Sequence, residues 1–345
     1  MELRRGDSGL VIGDVQRQLF ALSLYTGKPD DDFGPLTEKA VVAAQQKARY
    51  RASGILDGKV TEWISAQLRP WGLGSADREL PVQELTREVK LSIMQEISRF
   101  EGKFWSCNLD GEFKGLFDRP SRDAKNRPIP PKDRTTRHSS SRFGATPGHI
   151  GLSWGFIQFT QNSGSLGRVL QRCHDIAPGA FRATFGPQWS ELLDVTNRKG
   201  APVPVPDSES VTGVARRSPR VRPIEGKDLW EQPWVARFIE AGHNPAFQAA
   251  QIEMAMEDYL EPTFVRICLP WGIESAKGIA ILTDRAVHSG RTGAERVIRQ
   301  ACADMQGWDE PLLLARIYSQ NTERPWRHRM EKLSRSKGLT WQRYR

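Results

Sequence analysis

The chain has 345 residues, too long for one ordinary domain and comfortable for two. With 38% hydrophobic residues it can bury a core, and no apolar run reaches membrane-spanning length, so stable membrane insertion is not expected. The formal net charge of +9 favours anionic partners; on charge alone, nucleic acid, a membrane surface and an anionic polymer stay open.

The first residues, MELRRGDSGLVIGDVQ, lack the apolar run of a signal peptide, which predicts synthesis in the cytoplasm and release by another route. Ile12, Val15, Leu19 and Leu22 recur at three- and four-residue steps and predict an amphipathic helix. A turn-rich stretch over 27–34 follows, then a second helix over Thr37–Lys47 with Ala40, Val41 and Ala44 on one side. The turn Leu56-Asp57-Gly58 precedes a short third helix near Val60–Leu68. Two turn-plus-helix halves of this kind make a small three-helix unit.

These residues carry a resemblance. Arg5-Gly6-Asp7-Ser8-Gly9, Ile12-x-x-Val15-Gln16-x-x-Leu19, Asp32-Phe33-Gly34-x-x-Thr37-x-x-Ala40-Val41-x-x-x-Gln45 and Gly54-Ile55-Leu56-Asp57-Gly58 resemble the peptidoglycan-binding domain 1 family. Asp31 stands where that family usually has Gly, and Ala44 where it usually has an aromatic residue. The resemblance implies a wall-binding domain over residues 1–68 with bacterial peptidoglycan as partner. Its groove near the turns makes Asp32, Phe33 and Gly34 the candidate contacts, with Phe33 alternatively a core plug under the loop. Residues 69–85 hold two Pro and two Gly with little periodicity and read as a linker.

The remainder, 86–345, reads as one catalytic domain. Val89, Ile93, Ile97 and Phe100 form a helical stripe, with Glu101 on the same face and Gly102 as the stop. A carboxyl group held against apolar neighbours resists ionisation, as a general acid near neutral pH requires. The bland alternative is a Glu that reaches solvent at a helix end. Next, Trp105–Phe113 reads as a strand reaching a turn, and His149–Thr160 as a β-prone segment with glycines. Asn162–Gly164 forms a turn, and Leu166, Val169 and Leu170 open another helix.

Helix ending in Glu, polar hairpin, then helix is similar to the core of the lysozyme-like superfamily. Gly151-Leu-Ser153-x-Gly155-x-x-Gln158-Phe-Thr160 is similar to the Ser-x-Gly-x-x-Gln strand of lytic transglycosylases, and Glu101-Gly102 with Asp110 nine residues on is similar to the Glu–Asp–Thr set of phage-type lysozymes. By that pattern Glu101 is the general acid, Asp110 the base orienting a water, and Ser153 stands at the Thr position. Gln158 and Thr160 line the cleft. Glu112 and Asp118 rival Asp110 as the second carboxylate. Transglycosylases usually carry Ser after the catalytic Glu; Gly102 here favours water as acceptor.

The implied fold class is mainly α: a small three-helix wall-binding domain plus a mostly helical, lysozyme-like α+β domain with a short β-hairpin. The implied function is a peptidoglycan hydrolase, a muramidase cutting between N-acetylmuramic acid and N-acetylglucosamine, as in modular endolysins. Alternatives are a lytic transglycosylase, a chitosanase and a non-catalytic wall-binding protein. A holin would be the partner in a phage setting, and an immunity protein in a toxin setting.

Between the hairpin strands, Arg119–Gly148 holds eight basic residues, two acidic ones and five prolines, too few apolar groups for a core of its own. A second basic excursion, 194–227, reads as extended or disordered in part. It lacks the aromatic interleaving of a base-stacking surface, so nucleic acid is not the expected partner. Trp230–Ala241 and Phe247–Val265 predict amphipathic helices, with Gln251, Ala255 and Tyr259 on one stripe. Asp284-x-x-Val-x-x-Gly290 is similar to a pattern of helical lysozyme-like domains, leaving Asp284 as a substrate-side carboxylate or a structural one. Cys107, Cys173, Cys268 and Cys302 form no CxxC pair, and six scattered histidines suggest no metal site; no cofactor motif is present.

Overall fold

The structure is a computed structural model that describes residues 2–108, 148–149, 151–201, 203–206, 214–302 and 309–345. In chain order its helices begin with α1 (Leu10–Ala21), α2 (Pro35–Lys47), α3 (Gly58–Leu68) and α4 (Arg87–Ser98). Short strands follow: β1 (Cys107–Asn108), β2 (Gly148–His149), β3 (Ser153–Trp154) and β4 (Phe159–Thr160). Helices α5 (Ser165–Ile176), α6 (Pro178–Phe185) and α7 (Trp189–Asn197) precede strands β5 (Val203–Pro206) and β6 (Val214–Arg217). The chain closes with α8 (Trp234–His243), α9 (Pro245–Ala255), α10 (Ala276–Cys302), α11 (Glu310–Gln320) and α12 (Arg324–Ser334). The protein is therefore mainly α with short β pairs. No helix among the described residues is long and apolar enough to cross a membrane.

Two compact units emerge, 1–100 with 256–345, and 101–255. This division cuts across the expected boundaries at 68 and 86. In the first unit α1, α2 and α3 pack pairwise and bury Ile12, Val15, Leu19, Ala40, Val41, Ala44, Val60, Ile64 and Leu68. Two buried glutamines explain why the turns between these helices hold. Gln16 Oε1 accepts from Asp30 N (2.9 Å) and Asp31 N (3.1 Å), while its Nε2 donates to Asp32 O (2.8 Å). Gln45 Oε1 accepts from Gly54 N (3.0 Å) and its Nε2 donates to Ile55 O (2.9 Å). Each half of the module thus repeats one device, a helix glutamine that satisfies the backbone of the next turn. Gln16 Nε2 also donates to Asp30 Oδ1 (2.7 Å), and this bond holds the Asp30 carboxyl below its ordinary range. Asp31 takes the left-handed conformation (φ +63°), which explains why glycine is usual there. Gln16→Ala should cost about 3 kcal/mol, because each buried group left unpaired costs roughly 1–3 kcal/mol. Urea denaturation would show it as a lower midpoint at unchanged slope.

The stretch 69–85, expected as a linker, is instead packed into this unit. It forms short 3-10 turns at Arg69–Trp71 and Ala76–Glu79. Trp71 is buried with its ring 4.8 Å from that of Tyr318, and Arg78 Nη1 lies 2.6 Å from Glu310 Oε2. Gln83 N donates to Arg343 O (3.0 Å), and Arg345 N donates to Gln83 O (2.9 Å). Farther out, Arg316 Nη1 donates to Phe20 O (2.9 Å), tying α11 to the end of α1.

The expected single helix over Phe247–Val265 is also corrected. Helix α9 gives way to π-turns at Met256–Leu260 and Phe264–Cys268 around the single turn Glu261–Thr263. Helix α10 kinks at Gly290 (φ +72°). On α10, Asp284 is fully buried and accepts from Arg329 Nε on α12 at 3.0 Å to each carboxylate oxygen, which is the structural role. All four cysteines are free thiols.

The second unit wraps α5, α6, α8 and α9 around an aromatic core of Trp154, Phe156, Phe159, Phe181, Phe185, Phe238 and Phe247. The unit also holds two three-stranded sheets. One has the order β1-β3-β4 and is antiparallel throughout. The other pairs β6 with β5 antiparallel and with β2 parallel, so the second basic excursion is partly a β-ribbon to which the end of the first is added.

Candidate active site

The β3–β4 segment owes its shape to two glycines. Gly151 (φ +72°) and Gly155 (φ +87°) both adopt the left-handed conformation. Neither has room for a side chain: a Cβ would lie 2.4 Å from Gln161 Oε1 at Gly151 and 2.2 Å from Gln251 Oε1 at Gly155. Gln161, fully buried, accepts from Leu152 N (3.1 Å) and donates to Arg220 O (2.6 Å). The glycine spacing of the segment therefore reflects two buried amides that press against its backbone. Gly155→Ala should lose about 2–4 kcal/mol from strain and overpacking together; denaturant titration of the variant checks the figure.

Between these glycines the strands align hydroxyls. Ser153 is opposite Thr160 in the β3–β4 register and opposite Asn108 in the β1–β3 register. Ser153 Oγ and Thr160 Oγ1 are 3.1 Å apart, and Thr160 N donates to Ser165 Oγ (2.8 Å). The alternate row points into the core, where Trp154 Nε1 donates to Phe238 O (2.9 Å). Sheet alternation thus puts aromatic bulk on one side and hydroxyls on the other.

Gln158 sits in the turn joining β3 and β4 with φ +60°, a conformation that costs a non-glycine residue of this kind about 1 kcal/mol or more. Its Nε2 donates to Gly155 O (2.8 Å). Its Oε1 is buried and has no hydrogen-bond partner among the described residues. A Cβ at Gly102 would stand 3.2 Å from Gln158 Nε2 and 3.1 Å from Ser106 Oγ. Gln158 therefore packs against the residue that follows Glu101, and the structure brings Glu101's loop, Gln158, Ser153 and Thr160 into one region.

The position of Glu101 differs from expectation in one respect. Helix α4 ends at Ser98, and Glu101 lies half-buried in the following loop. Gly102 does not have a positive φ, so it is not a left-handed stop; it is small because Ser106 and Gln158 crowd it. The loop is a tight turn, with Ser106 N donating to Lys103 O (2.8 Å) and Lys103 N to Ser106 Oγ (2.8 Å). Gly155 N donates to Ser106 O (2.9 Å), stitching the loop to the sheet. Nearby, burial pushes the Cys107 thiol up to about 11, which leaves it protonated and unsuited to nucleophilic attack. Asp110 and its rivals Glu112 and Asp118 lie outside the described residues.

The remaining candidates belong to the N-terminal module. Phe33 is 1% exposed, so it is the core plug and no open contact. Asp32 and Gly34 remain on the surface of a groove of about 290 Å³ that Arg5, Gly6 and Asp7 complete. The groove is built by backbone pairing, Phe33 N to Asp7 O (2.8 Å) and Gly6 N to Phe33 O (3.1 Å).

Sequence reasoning missed Gln251 and Gly242 as parts of the site. The available signal was a glutamine on one stripe with Ala255, at a core-facing position of its helix, which predicts a buried polar partner.

Residues 8–64 match the family described as "Putative peptidoglycan binding domain". No curated protein matches the chain. Among solved structures, a GH46 chitosanase from Gynuella sunshinyii in complex with chitotetraose is 18% identical, with a TM-score of 0.37 over 73% of this chain and 86% of that one. The native chitosanase from Bacillus subtilis MY002 is 13% identical, with a TM-score of 0.36 over 72% and 83%. A mutant of the latter complexed with six GlcN gives 13% and 0.35 over the same shares. Overlap at that level does not define a fold, so the site's own geometry has to carry any functional reading.

Proposed function

We propose that the protein is a peptidoglycan hydrolase whose lysozyme-like part cuts the glycan strand between N-acetylmuramic acid and N-acetylglucosamine. The observation that carries this reading is a wall-polymer module over residues 8–64 in the same chain as a carboxylate, Glu101, whose loop is stitched to a hydroxyl-bearing sheet. Glycoside hydrolysis needs an acid on one side of the bond and a carboxylate or its substitute on the other. Glu101 gives its proton to the leaving oxygen. Asp110, in concert with Ser153, positions the attacking water. Gln158 and Thr160 line the cleft, and the groove at Asp32 and Gly34 holds the chain on the wall.

The enzyme acts on the wall after release or injection, with a holin or an immunity protein as its companion. A second reading, a lytic transglycosylase, is favoured by the Ser153-x-Gly155-x-x-Gln158 strand; Gly102 in place of Ser speaks against it. Incubation with purified sacculi tests the reaction class. Reducing sugar should appear with no rise in free amines. A rise in free amines would mean peptide-bond cleavage, soluble glycan with neither signal would mean a transglycosylase, and no solubilisation at all would mean a binding protein only.

A further inference from the structure

Two segments must keep a fixed spacing if Glu101 is to act with the hydroxyl strand: the loop 101–106 and the turn joining β3 to β4. Both expose backbone polar groups to the interior. Phe104 O and Phe156 N point inward beside an aromatic core, where an unpaired carbonyl or amide is costly. One side chain satisfies both. Gln251 on α9 is 0% exposed; its Nε2 donates to Phe104 O (3.0 Å) and its Oε1 accepts from Phe156 N (3.2 Å). A primary amide has one donor end and one acceptor end, and here each end is spent on a different segment. The neighbouring glycines keep that approach possible. Gly155 leaves the space that Gln251 Oε1 fills, and on α8 a Cβ at Gly242 would lie 2.3 Å from Trp105 Cα and 2.6 Å from Phe104 O. The loop after Glu101 is thus seated on Gly242, tied by Gln251 and stitched to the sheet through Ser106.

We propose that Gln251 is a positioning residue of the site, whose carboxamide bridges the Glu101 loop to the β3–β4 turn and so sets the distance between Glu101 and the Ser153–Thr160 hydroxyl pair. Gln251 touches neither substrate nor reacting atoms. Its effect is on where Glu101 stands when the glycosidic oxygen needs a proton. Misplacement of a catalytic group by about 1 Å can cost on the order of a hundredfold in rate.

This inference rests on Glu101 as the general acid, and the experiment separates the two. Gln251→Met keeps the volume and removes both hydrogen bonds. Gln251→Leu removes both hydrogen bonds with a shorter apolar side chain. Phe247→Leu, a core change on the same helix that leaves both Gln251 hydrogen bonds in place, serves as a control for lost packing. On solubilised glycan strands, kcat of both Gln251 variants should fall about 10- to 100-fold, with KM within about threefold and sacculus binding unchanged. Phe247→Leu should keep kcat near wild type at a comparable loss of thermal stability. If Gln251→Met and Gln251→Leu retain kcat within threefold, or if Phe247→Leu loses as much, Gln251 only fills the core and the proposal is overturned. Should Gln251→Met not fold, Gln251→Leu decides alone by the same criteria. A wild-type protein that is inactive, or a Glu101→Gln variant that is fully active, sinks the underlying reading; an active wild type with inactive Glu101→Gln and normal Gln251 variants sinks this inference alone.

Discussion

Glu101→Gln should reduce lysis of sacculi by about 10²–10⁴-fold, the usual worth of a positioned general acid. The substitution keeps the side chain's size and hydrogen-bonding reach but removes the transferable proton. Because Glu101 lies half-buried in a turn already fixed by Lys103, Ser106 and Gly155, the loop has no reason to collapse when the charge is lost. Stability should therefore stay within about 1 kcal/mol of wild type, as for most changes outside a packed core. Binding to sacculi should persist as well, since the groove at Asp32 and Gly34 belongs to a module that matches a wall-binding family by itself. Loss of lysis with retained binding is the pattern expected of a catalytic residue. Retained lysis would remove Glu101 from the mechanism.

The second large effect is on stability. Asp284→Ala should cost about 3–5 kcal/mol, because it strands the partly buried Arg329 guanidinium without its carboxylate. The pair links α10 to α12 within the first unit, and Arg329 also stacks over Phe100, 5.2 Å from the ring centroid. Asp284→Asn, which keeps the shape and one acceptor, should lose less. A double replacement by apolar residues of similar volume should recover much of the loss, since a buried ion pair contributes little beyond the cost of desolvating it. The same variants separate the two roles the sequence left open. A structural Asp284 gives a shifted denaturation midpoint with kcat preserved in the folded fraction. A substrate-side Asp284 would give the reverse.

The parts legible in the sequence were those set by local rules. The three helices of the N-terminal module follow from apolar spacing and turn chemistry, and Gln16 and Gln45 already stood in the quoted motif, although their role as turn clamps needed coordinates. The segment 151–160 was legible because its glycines advertise a special backbone. What they make room for was not, since Gln251 lies nearly a hundred residues on and looks in the sequence like one member of a helical stripe. The stretch 69–85 read as a linker for the same reason: its partners, Tyr318, Glu310, Arg343 and Arg345, are more than two hundred residues away, and composition cannot report pairing at that range. Gly102 resembles a helix stop in the sequence, yet α4 ends at Ser98. Gly102 is instead a close-packed position, where a Cβ would meet Ser106 Oγ at 3.1 Å and Gln158 Nε2 at 3.2 Å. Phe33 shows the limit of motif reading, where one residue can be conspicuous in a pattern because it plugs the core beneath a groove.

The most direct test of the central claim is mass spectrometry of the soluble products after sacculi are digested to completion and reduced with borohydride. Products ending in reduced N-acetylmuramic acid, absent with Glu101→Gln, are the result expected of a muramidase with Glu101 as its acid. Anhydromuramyl ends, reduced N-acetylglucosamine ends, or intact strands released by peptide cleavage would each contradict it.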